Sequence, residues 1–307
     1  MKTFGKILLY FFSGFFFFFF FLYLTFPYQI LKEKIVSSIS KETKTLVSIE
    51  SLGPKLPLGL TMDKLRFYKP GSGDLQIQKL DVRLGFFSLL FGGLNFSVRV
   101  EDHNKEGVEL NSFFPLKDIF STESQAIPSY ISLTSDKFDI APFVNYYLSS
   151  KASDENLNPV FKSALKDTLF IGKLKSNVRF DFDGKDILLS TGSLDIEFVQ
   201  AGLNILSLPF QNFKQARIKT SLSKGLFEFS PETKIISDDL NIDISGSVKQ
   251  AEKLTMSKLD VSVKIKMMDE LKESFGMLLD LATGKPSEGE ARVKIKGTLV
   301  RPKVDAF

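Results

Sequence analysis

Residues Ile7 to Phe26 form a run of 20 without a charge, and ten of them are Phe. Four Leu and one Ile complete its strongly apolar set. As a helix the run would span about 30 Å, the thickness of a bilayer's hydrocarbon core. Its strongly apolar residues favour insertion by roughly −0.3 kcal/mol or better each, about −5 kcal/mol in all. Tyr10 and Tyr23 sit near its two ends, where amphipathic rings prefer the interface. The run is longer than the apolar core of a cleaved signal peptide, about 7–15 residues. The exit, Thr25-Phe26-Pro27-Tyr28-Gln29, holds no small-x-small cleavage site. We therefore expect a tail at 1–6, one transmembrane helix at 7–26 and a body at 27–307.

Flanking charge does not decide the orientation. Lys2 and Lys6 lie on one side of the run, and Lys32, Lys34, Lys41 and Lys44 on the other. A long domain translocates largely regardless of charge, whereas a short tail with two Lys is awkward to move across. This places the amino terminus in the cytoplasm and the body on the far side.

Outside the membrane, 38 basic residues face 36 acidic ones once Lys2 and Lys6 are set aside. A near-neutral body argues against nucleic acid as a partner. Hydrophobic residues make up 43% and charged residues 25% of the chain, which excludes disorder, collagen and coiled coil. With no Cys and one His, a disulfide scaffold, a Cys-ligated metal and a multi-His site are excluded too.

Pro27 to Ser40 reads as a helix, with Leu31, Ile35 and Ile39 repeating at i+4. Beyond it, period-two alternation dominates. Leu58, Leu60 and Met62 alternate, as do Leu75 with Ile77. Leu80, Val82 and Leu84 follow after a one-residue slip that suggests a bulge. Leu94 to Val100 makes a clean stripe. Later stripes fall at Val178–Phe182, Ile187–Leu189, Leu194–Phe198, Ala216–Leu222, Phe227–Phe229, Leu240–Ile244, Leu259–Met267 and Val293–Leu299. Asp183-Gly184 and Lys224-Gly225 read as hairpin turns. About twelve strands at hairpin spacing predict a mainly β fold, a long curved antiparallel sheet with its apolar face inward. Three short helices interrupt it, at Asp139–Ser149, Asn158–Asp167 and Asp269–Leu281. Residues 150–157 read as a linker between two halves of the sheet, 27–149 and 158–307.

Nothing in the chain assembles an enzyme's chemistry. His103 lies in the polar stretch Glu-Asp-His-Asn-Lys-Glu, which reads as a solvated turn with no fellow ligand. Asp181, Asp183 and Asp186 lack the later Glu of a calcium loop. Gly71-Ser-Gly73 and Gly92-Gly93 lack the Lys and helix of a phosphate loop. No catalytic residue, cofactor or metal is expected. Apolar surface stands out instead. Gly85-Phe-Phe-Ser-Leu-Leu-Phe-Gly-Gly93 packs Phe86, Phe87, Leu89, Leu90 and Phe91 between two strands. Two readings stand: a short helix plugging one end of the sheet's core, or an apolar wall for an acyl chain or a partner. With Phe96, Phe180 and Phe182 these residues make the candidate groove or contact surface.

The order of motifs resembles the type II secretion system protein N family (GspN), in its spirochaete and deltaproteobacterial form. Phe26-Pro27-Tyr28, the helix behind it and Ser51-Leu-Gly-Pro-Lys-Leu-Pro-Leu-Gly-Leu60 are similar to that family's start. Leu80-Asp-Val-Arg-Leu84, then Ser88-Leu-Leu-Phe-Gly92 and the Leu94–Val100 strand, resemble a strand unit of the wider AsmA-like superfamily. Ile295-Lys-Gly-Thr-Leu-Val-Arg-Pro302 is similar to that superfamily's closing motif. The resemblance implies a single-pass inner-membrane protein with a periplasmic body, an accessory of the type II secretion machine. The wider relatives imply an open, groove-like sheet that moves lipid between membranes. Two functions follow: protein contact with other secretion components, or binding and transfer of phospholipid.

Overall fold

In the computed structural model the described residues are 25–307, apart from 57, 72, 120–126, 154–158, 184–186, 205–209, 252–253, 269–270, 274–275, 277–288 and 307. Before residue 25 they are 6, 10, 13, 14, 17, 18, 20, 21 and 23. The 16-residue helix α1 (Tyr28–Thr43) comes first, as the i+4 repeat predicts, and ends on Lys44 in the left-handed conformation.

Among the described residues seventeen strands follow, and every registered pair is antiparallel. They are β1 (Leu46–Ser48), β2 (Ser51–Pro54), β3 (Gly59–Lys69), β4 (Gly73–Gly85), β5 (Gly93–Glu101), β6 (Gly107–Pro115), β7 (Tyr130–Asp139), β8 (Leu169–Asp181) and β9 (Thr191–Asn204), then β10 (Gln211–Asn212), β11 (Gln215–Ser223), β12 (Leu226–Phe229), β13 (Lys234–Ile236), β14 (Leu240–Lys249), β15 (Lys258–Met267), β16 (Glu290–Thr298) and β17 (Pro302–Ala306). Each full strand from β3 to β9 pairs with the next in sequence. Short strands share a partner: β1 and β2 both line β3, β10 and β11 line β9, and β12 and β13 bridge β11 to β14. The ladder then runs β14, β15, β16, β17. This is one long meander, the antiparallel sheet that the alternation predicts. β7 pairs with β8 across residues 140–168, so both halves of the chain belong to one ladder.

The expected slip between Ile77 and Leu80 has a local cause. Buried positions also step by three on β3, from Met62 to Leu65, around Lys64 with φ 47°. Both strands change parity at the same place. Asp63 still faces Lys79 and Leu65 still faces Ile77, so the register survives and the stripe stays on one side.

The tightest packing lies under α1. Val47, Ile49, Met62, Leu65 and Ile77 form a buried cluster, and Ile35, Val36 and Ile39 of α1 close over it. The expected helices at 139 and 158 are present as α3 (Ala141–Ala152) and α4 (Pro159–Lys166), preceded by a four-residue α2 (Leu116–Ile119). Asp139 accepts the Ala141 N–H at 3.1 Å, one residue ahead of the helix start at Ile140. Phe143 of α3 joins the buried cluster, and Asn145 bonds the Phe170 backbone through both its amide groups. Leu271 to Glu273 and Gly276 are helical, and the rest of the Asp269–Leu281 expectation lies outside the described residues, as do residues 154–157 of the linker and Gly184 of the first turn. Lys224-Gly225 is a turn with positive φ at both residues, 50° and 71°, the geometry a two-residue hairpin needs. Ile187–Leu189 differs from expectation: it is a single 3-10 turn, and β9 begins at Thr191. Three apolar residues in a row carry no period that separates strand from helical turn.

Among the described residues no helix is long and apolar enough to cross a membrane. Of the described residues of 7–26, Tyr10, Ser13, Gly14, Phe17, Phe18, Phe20, Phe21, Tyr23 and Thr25 are helical and Phe26 is not, and the remainder of that run lies outside the description.

Candidate functional site

One face of the meander is mostly apolar. Following the registers across the sheet, Leu84 faces Phe96, Phe96 faces Ser112, Ser112 faces Ile131 and Ile131 faces Phe180. The same row continues through Gly192, Leu222, Phe227, Val248, Leu259, Gly297 and Pro302. A parallel row runs Val82, Val98, Leu110, Leu133, Val178 and Leu194. Alternation alone accounts for this, because side chains two apart share a face and antiparallel registers stack them.

The face is only partly covered. Every residue of β5 after Gly93 is half-buried, as are Leu110, Ile131, Leu133, Phe180 and Ile196. The chain's accessible surface is 19844 Å², roughly one and a half times that of a compact monomer of its mass. The opposite face is polar and tied by ion pairs. Arg217 grips the Asp195 carboxylate with two hydrogen bonds, 2.8 and 2.6 Å, and reaches Glu232 at 3.0 Å. Lys219 holds Glu232 at 2.7 Å. The Arg217 hydrogen bond holds the Asp195 carboxyl below its ordinary range. Asp81, 2% exposed, pairs with Lys55 at 3.0 Å.

The structure splits the eight candidate residues into two sets. Phe96 and Phe180 lie in the same apolar row, three strands apart. The Phe180 ring meets Phe227 edge-on at 5.8 Å. It also lies over Gly192, where a Cβ would stand 2.3 Å from the ring. Phe182, just past β8, is half-buried, and its N–H bonds the Ser129 carbonyl at 2.8 Å. Phe86 to Phe91 form a 3-10 helix between β4 and β5. The side chain of Phe86 lies outside the description, and Leu89 is half-buried. Phe87, Leu90 and Phe91 are 67%, 77% and 84% exposed, so these three do not plug the sheet.

His103 is exposed in the β5–β6 turn beside Gln78. Among the described residues no three His, Cys, Asp or Glu stand together as metal ligands. Sequence reasoning missed β6 and β7, and with them Leu110, Ile131 and Leu133 in the middle of the apolar face. The available signal was the two-step spacing of Val108 with Leu110 and of Ile131 with Leu133. The chain matches no family model, no curated protein and no solved structure.

Proposed function

We propose that the chain is a non-enzymatic lipid-binding protein, held to the inner membrane by a single span at 7–26, with a periplasmic body. The observation that carries this reading is the apolar face, left partly exposed on most strands of the ladder. Such a face favours a long apolar ligand over a compact polar one, because each methylene it removes from water contributes about 0.8 kcal/mol. Acyl chains lying along the rows would complete the burial. The exposed Phe17, Phe18, Phe20 and Phe21 support the anchor, since a helix apolar on all sides suits hydrocarbon and not water. To test the reading, the full chain is extracted from native membranes and weighed intact by native mass spectrometry. Stoichiometric phospholipid on the released protein is expected. Protein free of lipid in every gentle detergent would overturn it.

The exposed final strand, Pro302 to Asp305 in β17, supports a second reading. It suits contact with another protein by strand addition, and the resemblance to the type II secretion protein N family points that contact at secretion components. A deletion strain separates the two. Lost export of secreted enzymes with unchanged outer-membrane lipids would favour protein contact and sink lipid transfer.

A further inference from the structure

We infer that one rim of the sheet is a membrane-docking surface, seated on the anionic phospholipid bilayer that holds the N-terminal span. The inference rests on the anchored reading above. It starts from the direction of α1. The Ser40 hydroxyl accepts the Val47 N–H, and the Lys32 ammonium donates to the Glu50 carbonyl at 3.0 Å. Going back from residue 40 to 32 moves about 12 Å along the helix, and going forward from 47 to 50 about 10 Å along the strand. The helix therefore lies antiparallel to β1–β2. Its start, Tyr28, points to the end where β2 reaches Pro54 opposite Leu60 and β4 reaches Gly85 opposite Asn95. The chain departs toward the apolar run from that same end.

That end carries exposed apolar side chains on one connection after another. Phe87, Leu90 and Phe91 stand on the β4–β5 connection, Met256 on β14–β15, and Leu299 and Val300 on β16–β17. By register this rim lies about 15 Å beyond the level of Tyr28, more than the depth of one headgroup layer.

A second, independent observation is electrostatic. Lys249 faces Lys258 across the ladder, and Lys296 faces Lys303. Like charges directly opposite each other destabilise a sheet unless an anion lies between them. All four lysines are exposed, and among the described residues none is in an ion pair with a carboxylate. Asp260 faces Lys296 from β15 and forms its ion pair with Lys294, at 3.3 Å, leaving the Lys249–Lys258 pair without a carboxylate directly across from it. Arg301, Lys224 and Lys117 stand on connections of the same end, with Asp183 as a described acid there. The described connections of the opposite end mix both signs: Glu101, Asp102 and Glu106 stand with Lys105, Asp238 pairs with Lys214, and α3 and α4 carry Lys151, Lys162 and Lys166. Apolar side chains above a ring of lysines match a bilayer interface with anionic headgroups.

The chain has no Trp, so a single introduced Trp reports its own surroundings. Full-length Phe91→Trp, Val300→Trp, Phe17→Trp and Tyr147→Trp are reconstituted in vesicles of phosphatidylethanolamine and phosphatidylglycerol with brominated acyl chains. Phe91, Val300 and Tyr147 are exposed, so the substitutions spare the fold. Tyr147, on α3 at the opposite end and beneath Lys151, is the control. Quenching of about twofold or more is expected at 91, 300 and 17 and none at 147. In a Lys258→Glu, Lys303→Glu background, quenching at 300 should fall. Quenching at 17 without quenching at 91 and 300 overturns the docking surface and leaves the anchor standing. No quenching at 17 overturns the anchor, and quenching at 91 and 300 then still supports docking. A blue shift at 91 or 300 without quenching means that a second copy or another protein covers the rim, which also overturns it.

Discussion

Phe180→Ala tests whether the apolar face is a packed interior or a ligand surface. Phe180 is half-buried, faces Ile131 and Gly192, and meets the Phe227 ring at 5.8 Å. A Phe buries about 200 Å² when enclosed. About two-thirds of that at about 25 cal/mol per Å² is about 3.3 kcal/mol. The edge-on ring pair adds about 0.5–1 kcal/mol, so the expected loss is about 4 kcal/mol. A fully enclosed ring would cost about 5 kcal/mol, because a cavity remains behind it. Urea unfolding of the full chain in mild detergent, followed by far-ultraviolet circular dichroism, gives the loss from the shift in midpoint at constant slope. Native mass spectrometry on the same preparations gives the lipid retained. The expected pair of results is a loss of about 4 kcal/mol with clearly reduced phospholipid. A Phe180→Ala, Phe227→Ala cycle should show a coupling of about 0.5–1 kcal/mol. Asn177→Ala, exposed on the polar face, should stay within about 0.5 kcal/mol and keep its lipid. A loss near 5 kcal/mol with lipid unchanged would refute the reasoning, since protein and not ligand would then fill that face.

Two further outcomes concern the sheet itself. Gly246 has φ 112°, and a Cβ there would stand 2.1 Å from the Asp260 carbonyl oxygen, so Gly246→Ala should cost about 2–4 kcal/mol in urea unfolding and loosen the β14–β15 ladder. Arg217 lowers the Asp195 carboxyl in the folded chain, so its stabilisation is present above the ordinary carboxylate range and is lost as pH falls through the folded value. Arg217→Met should cost about 1–2 kcal/mol at neutral pH. It should also flatten the acid limb of a stability–pH curve; an unchanged limb would assign that limb to other carboxylates.

The exposed rim and the half-covered face were only partly legible in the residues. Alternation announces a sheet because period two can be read along one strand without knowing its neighbours. It worked wherever apolar residues filled the inward positions, as at Leu94–Val100 and Leu259–Met267. It failed at β6 and β7, where Ser112 and Ser135 take inward places between Phe96 and Phe180 and interrupt the stripe. Nor did the run Phe86–Phe91 say which side chains would be exposed. A 3-10 helix of six residues turns its side chains around a short axis, and only the two strands it joins decide which are covered.

By itself, then, the order of residues determined the elements: the apolar run, the helix behind it and an antiparallel sheet with two unlike faces. These depend on local spacing and composition, which a linear chain carries in full. What the tertiary structure alone decided was the partnership of strands. Register lined up Leu84, Phe96, Ile131, Phe180, Leu222, Phe227, Val248 and Leu259 along one row and set Lys249 against Lys258. It also laid α1 so that its start and the exposed Phe91 share one end of the sheet. Such relations join residues far apart in sequence, and the closure of the intervening chain fixes them, not the character of any one segment.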